Sequence, residues 1–150
     1  MSGGFETDEV FRLETNLDDC TAESLGAVME HLLAADALDV WFTPIQMKKN
    51  RPGVMLSLLC EEAAREQLAQ IILKETTAFG VRIDRVQRIK LARRMIAVTT
   101  EYGDISVKLG LKGDEVIHAT PEFESVKTAA ERSNQPFRIV YAAALRATAH

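Results

Sequence analysis

Residues 40–60 read VWFTPIQMKKNRPGVMLSLLC, and the fold turns on how this stretch divides. Val40 to Met47 is rich in β-formers but contains Pro44, which lacks an N–H and suits an edge strand or a bulge. Lys48 to Gly53, KKNRPG, carries the Asn, Pro and Gly of a turn. Val54 to Cys60 is a continuous apolar run broken only by Ser57, the pattern of a strand buried on both faces.

Helical patterns flank this pair of strands. Upstream, Phe11, Leu13, Thr15 and Leu17 share one face of a first strand. Leu25, Val28, Met29, Leu32 and Leu33 then fall on one helical stripe, and Asp36 and Asp39 bracket its exit. Downstream, Glu61 to Glu75 is helical, with Leu68, Ile71 and Ile72 inward; after Gly80, the residues Val81, Ile83 and Val86 begin a fourth strand. The order β-α-β-β-α-β is the split βαβ arrangement of ferredoxin-like domains, within the α+β class. From Leu91 a second, smaller half follows. Met95–Thr100 and Ile105–Leu111 flank Tyr102-Gly103-Asp104 as a hairpin, and Asp114 to Ala119 is a short strand. Thr120 is expected to cap a helix with Pro121 at its first position. Pro136 opens a last helix, with Phe137, Val140, Tyr141, Ala144 and Leu145 inward. The expected division is residues 1–9 as leader or linker, 10–92 as the ferredoxin-like subdomain and 93–150 as the β-hairpin and helical subdomain, the two halves sharing a core.

The topology gathers chemistry at one end of the sheet. With a right-handed crossover the first two strands run the same way, and the third lies antiparallel between them. Adjacent strands are about 4.8 Å apart, so the first and second lie roughly 10 Å apart. Asp18 and Asp19, in ETNLDDCT (residues 14–21), should then surround one patch with Lys48, Lys49 and Arg51. Thr76 and Thr77 approach from a third loop. A hard cation such as Mg²⁺ takes carboxylate oxygens while sharing itself with phosphates. Lysines and a forked guanidinium neutralise the remaining phosphate charge. The plainer reading is one carboxylate capping the following helix, beside a solvated turn. A cap needs only one of the two.

Other features exclude more than they assign. The 150 residues are 47% hydrophobic and 27% charged, ordinary for a globular protein, and the net charge of −4 argues against nucleic-acid binding through bulk charge. Arg82, Arg85, Arg88, Lys90, Arg93 and Arg94 form a basic run, but charges on an edge strand commonly serve to block pairing with another chain. The third strand also lacks the aromatics on which single-strand binders of this topology stack bases. Cys20 and Cys60 lie far apart, in no metal spacing, which points to a reduced, cytoplasmic compartment. No apolar run approaches a membrane span, and MSGGFETDEV has no apolar core of a secretion signal. His31, His118 and His150 form no cluster for a closed zinc site; His31 is expected to be solvated, and Cys20 to be a small buried hydrophobe rather than a soft metal ligand. No Ser/His/Asp set, Walker loop or GxGxxG is present, so catalytic residues stay unassigned.

The segments ETNLDD, FTPIQMKKNRPG, LCEE, KETTAFGVR and PEFES, followed by an alanine-rich helix with Tyr141, resemble in order the C-terminal part of a known family. It is the nickel-insertion protein family that completes the nickel-pincer cofactor of lactate racemase. The resemblance runs from Phe11 to about Ala143. It implies a nickel chelatase (a lyase) that consumes CTP while inserting Ni²⁺ into pyridinium bis-thiocarboxylate mononucleotide, with a histidine-rich N-terminal part lying outside these residues. It implies that the C-terminal domain binds CTP with Mg²⁺ or Mn²⁺. Carried onto this chain, Asp18 and Asp19 would hold the metal, Lys48, Lys49 and Arg51 with Thr76 and Thr77 the nucleotide, and Glu14 and Asn16 would support them. Expected partners are CTP, the pincer precursor and further copies of the chain, with a trimer as the candidate unit; no membrane or nucleic acid is expected. Two alternatives are a regulatory ligand-binding module without chemistry and an oligomerisation module.

Overall fold

A computed structural model describes residues 4–149. The chain divides into two compact units, residues 8–88 and residues 4–7 with 89–149. Seven strands and four helices build them: β1 (Glu6–Leu17), α1 (Ala22–Ala34), β2 (Asp39–Met47), β3 (Arg51–Cys60), α2 (Arg65–Glu75), β4 (Arg82–Lys90), β5 (Ala92–Thr100), β6 (Gly103–Lys112), β7 (Glu115–Pro121), α3 (Phe123–Ser133) and α4 (Phe137–Thr148). The architecture is α+β, as the sequence indicates.

In the first unit the sheet order is β2-β3-β1-β4. Both β1 and β2 pair antiparallel with β3, so they run the same way, and β2 with its Pro44 is an edge strand. Thr15 is buried beside Phe11, Leu13 and Leu17, all on one face of β1. Leu25, Val28 and Leu32 of α1 and Leu68, Ile71 and Ile72 of α2 close over that face, meeting Leu56, Leu58, Val40 and Cys60. Leu33 lies outside the stripe and is half exposed.

The hairpin tip is a single 3-10 turn, Lys48–Asn50, in which Lys49 and Asn50 adopt positive φ angles of 60° and 58°. Asparagine visits this region readily, whereas for lysine it costs on the order of 1 kcal/mol. Gly53 follows because nothing larger fits: a Cβ there would lie 2.6 Å from the Leu17 carbonyl oxygen and 2.7 Å from the Met47 sulfur. The missing side chain lets the exit of β1 close against the tip of the β2–β3 hairpin, and this positions the site.

In the second unit β5, β6 and β7 form an antiparallel meander with the order β5-β6-β7. Ile105, Val107, Leu109 and Leu111 alternate inward along β6, meeting Val126, Ala129 and Ala130 of α3 and Val140 and Ala144 of α4. Each unit has its own cluster of buried apolar residues, because each sheet has its own pair of helices to cover it.

Three expectations change. Strand β1 begins at Glu6, inside the stretch read as leader, and Asp8 there accepts two hydrogen bonds from Arg88, at 2.9 and 2.7 Å. Thr120 and Pro121 end β7 instead of opening a helix; α3 starts at Phe123, after Glu122, whose N–H donates to the Ser106 carbonyl at 2.9 Å. Phe137 and Leu145 of α4 stay more than one third exposed, leaving Val140, Ala143 and Ala144 as its buried face.

Candidate functional site

Helix α1 is capped by Thr21, whose hydroxyl accepts from the Ser24 N–H at 3.1 Å. This corrects the expectation that one aspartate serves as the cap. Asp18 and Asp19 both lie in the turn between β1 and the cap, released from that role. They make different contacts. Asp18 Oδ2 lies 3.5 Å from Arg51 Nη1, which joins the exit of β1 to the base of the hairpin tip. Asp19 accepts from the Thr77 hydroxyl in the loop after α2. A hydroxyl carries one proton, and Thr77 gives it to the carboxylate; the Cys20 thiol, 3.3 Å away, must then be the donor to the Thr77 oxygen. Cys20, expected to be buried, is only partly so.

The three loops that topology brings together therefore touch through side chains: Asp18 to Arg51, and Asp19 and Cys20 to Thr77. Lys48 and Lys49 sit exposed at the tip, with no carboxylate partner among the described residues. Thr76 is engaged locally, donating to the Ile72 carbonyl at 2.6 Å and accepting from the Ala78 N–H at 3.1 Å. Thr15 ties the same loop to β1 by donating to the Gly80 carbonyl at 2.9 Å. This loop is pinned at both ends.

Glu14 and Asn16 alternate outward from β1, on the opposite face from Thr15. Arg82 of β4 donates to Asn16 Oδ1 at 2.8 Å and lies 3.9 Å from Glu14, while Arg12 lies 3.1 Å from Glu14. Arg85 lies 3.5 Å from Glu9. The arginines of β4 are thus matched to carboxylates and amides of β1, as an edge strand with a charged neighbour would have it. His31 is not merely solvated: its Nδ1 lies 2.5 Å from Glu75 Oε1 and links the last turns of α1 and α2. Burial pushes the Cys60 thiol pKa up; nearby Arg65 pulls the other way and Glu61 adds to the rise.

Among the described residues no three His, Cys, Asp or Glu side chains gather as a complete metal site. Asp18 and Asp19 stand on one loop and reach the other two through Arg51 and Thr77. The Cys20–Thr77 contact and the Arg82 anchors escape sequence reading, because neither follows from any local spacing.

Fold and site define a two-unit α+β protein whose ferredoxin-like half gathers carboxylate, cationic and hydroxyl groups on three loops at one end of its sheet. Residues 1–141 match the nickel insertion protein family, and the chain belongs to it. It is 45% identical over 138 residues to the pyridinium-3,5-bisthiocarboxylic acid mononucleotide nickel insertion protein of Lactiplantibacillus plantarum, covering 92% of this chain and 33% of that one. The protein of the same name from Thermotoga petrophila is 40% identical over 134 residues, covering 89% of this chain and 34% of its own length. Such curated relatives are about three times as long as the matched stretch. Among solved structures, LarC2, the C-terminal domain of a cyclometallase involved in synthesis of the NPN cofactor of lactate racemase, is similar with a TM-score of 0.89 and 43% identity, over 97% of this chain and all of that one. A protein from Methanopyrus kandleri shares the fold at a TM-score of 0.70 and 27% identity, over 95% and 90% of the two chains. No helix among the described residues is long and apolar enough to cross a membrane.

Proposed function

We propose that this chain is the nucleotide- and divalent-cation-binding portion of a CTP-dependent nickel insertase acting on pyridinium bis-thiocarboxylate mononucleotide. The observation that carries the reading is the joining of three loops by Asp18–Arg51 and Asp19–Thr77, beside the two exposed lysines of the hairpin tip. The donor set fits Mg²⁺ or Mn²⁺ delivered by a triphosphate, because such ions take one or two protein carboxylates and keep phosphate oxygens and water for the rest. When bound, the ion would neutralise phosphate charge next to Asp18 and Asp19. Lys48, Lys49 and Arg51 would bind the remaining phosphate oxygens, and Thr77 would hold Asp19 in place.

Nickel is the cargo, and this chain is a poor place to capture it. Nickel favours imidazole and thiolate donors. Here His31 is held by Glu75, His118 lies in the second unit, His150 falls outside the described residues, and Cys20 and Cys60 are not paired. Nickel capture in the complete reaction is assigned to sequence that the curated relatives carry beyond the matched stretch. The free thiols fit a reducing, cytoplasmic setting. Assembly of several copies, with a trimer as the candidate unit, is part of the proposal; the Phe123 and Phe137 rings, 5.3 Å apart with Tyr141 behind, offer an apolar patch for a contact between copies. Sedimentation with and without nucleotide tests that assembly.

The decisive measurement is calorimetry with CTP, ATP, GTP and UTP, each with Mg²⁺, Mn²⁺ or EDTA. CTP is expected to bind with either ion and to fail in EDTA, since two aspartates repel a triphosphate that has no bridging cation. Equal CTP affinity in EDTA and in Mg²⁺ would remove both aspartates from the site.

A further inference from the structure

Phe79 is the most exposed large apolar side chain in the described structure; its ring packs against nothing. It stands in the loop between α2 and β4, two residues beyond Thr77 and next to Gly80. An unpacked aromatic on a slack loop would carry little meaning, because isolated exposed apolar residues are common. This loop is not slack. Thr76 donates to Ile72 and accepts from Ala78, Thr77 donates to Asp19, and the Gly80 carbonyl accepts from Thr15. Every residue flanking Phe79 is fixed by a hydrogen bond, while the ring itself is left facing water.

The fixation also determines where the ring is held. Consecutive Cα atoms are 3.8 Å apart, so the Phe79 Cα lies within about 8 Å of that of Thr77. Thr77 in turn touches the Asp19 carboxylate. A nucleotide has its charged end and its flat, π-faced base separated by one sugar. A rigid aromatic at that remove from a carboxylate–cation patch matches the second half of such a ligand. We propose that Phe79 is a nucleobase subsite, on whose ring the base of a bound nucleoside triphosphate stacks. The inference rests on the reading of the Asp18–Asp19–Lys48–Lys49–Arg51 patch as a triphosphate site. Stacking tolerates any base, so Phe79 provides affinity for a nucleoside over bare phosphate and does not itself select cytosine.

Calorimetry with Mg²⁺ present separates the two readings, using CTP and inorganic tripolyphosphate as probes. The parent chain, Phe79→Ala and Phe79→Trp are compared, with circular dichroism to confirm folding. Alanine is expected to weaken CTP binding roughly 5- to 150-fold, the range for removal of one stacking partner. It should leave tripolyphosphate binding unchanged, and tryptophan should restore CTP affinity. If Phe79→Ala binds CTP as the parent does, or loses tripolyphosphate to the same degree, the stacking subsite is wrong while the phosphate patch stands. Unchanged CTP affinity with a smaller sedimenting species would make Phe79 a contact between copies instead, and overturn the subsite. Failure of the parent chain to bind either probe removes the patch, and the subsite with it.

Discussion

The two units are built from similar parts and use them differently. Each lays two helices over one face of an antiparallel sheet and buries a cluster of aliphatic residues between them. In the first unit a helical crossover follows β1 and another follows β3, with the β2–β3 hairpin between them, so three loops meet at one end of the sheet. In the second, three strands follow one another as a meander and two helices come after. Its polar residues are spread along exposed strand faces and the helix hairpin. Interleaving is what concentrates chemistry, because each crossover adds a loop to a shared end. A meander distributes its loops alternately between both ends.

That comparison breaks most visibly if the two cores are one. Leu58→Ala in β3 and Ile105→Ala in β6 each truncate a fully buried side chain, at a cost of about 2–5 kcal/mol. Trp41 is the single tryptophan, and it lies in β2 of the first unit. In a urea titration, Leu58→Ala is expected to move the Trp41 fluorescence midpoint to lower denaturant. Ile105→Ala should leave that midpoint in place while shifting part of the far-ultraviolet signal. Equal displacement of the fluorescence midpoint by both substitutions would show one cooperative core.

The next effect concerns function. Lys48→Ala, Lys49→Ala and Arg51→Ala should each weaken Mg²⁺–CTP binding by about 1.5–3 kcal/mol, the worth of a hydrogen bond to a charged group. None should unfold the chain, because exposed turn charges rarely hold a fold. Lys127→Ala, on α3 of the second unit, is the matched control and should change nothing. If all three tip variants bind normally, KKNR is a solvated turn and the contrast between the units fails. A smaller effect separates structural from functional cations within the first unit. Arg88 grips Asp8 with two hydrogen bonds, and that bond raises the guanidinium's already high pKa further. Arg88→Ala should cost on the order of 1 kcal/mol of stability in denaturant titration and leave CTP binding intact. Arg88→Lys should recover only part of the loss, since an ammonium cannot reproduce the fork.

Much of this division was legible in the residues. The alternation of Phe11, Leu13, Thr15 and Leu17, the Pro44 edge strand and the KKNRPG turn fixed the first unit, and its topology brought Asp18 near Arg51 and Asp19 near Thr77. What escaped is informative. Asp18, Asp19 and Thr21 all have capping chemistry, and Thr21 takes the role because the helix begins at Ala22, directly after it. Thr120-Pro121 has the chemistry of a helix start, yet it is equally suited to the last residues of a strand, where pairing with Lys108 and Val107 holds it. A core within each unit depends on which helices cover which sheet, and that is a tertiary property. Phe79 is one aromatic among several in the sequence, and its isolation from all packing is a tertiary property.

The smallest expected effect compares the two cysteines, one from the core of the first unit and one from its site. Cys60 is fully buried, and burial holds its thiol pKa above the ordinary cysteine value. The folded state therefore binds this proton more tightly than the unfolded one. The resulting contribution to stability is fully present below the ordinary cysteine pKa and is lost as the pH rises through the higher folded value. At neutral pH Cys60 is an unreactive thiol. Cys20 is partly exposed beside Thr77, in the corner where phosphates are proposed to sit. Alkylation of the native chain at neutral pH, followed by peptide mass analysis, should modify Cys20 and spare Cys60 until denaturant is added. Mg²⁺–CTP should then slow labelling of Cys20, and CTP in EDTA should not. Labelling of both cysteines at one rate would mean the first core opens freely. Labelling of Cys20 unaffected by Mg²⁺–CTP would place the nucleotide away from the Asp18–Asp19 corner.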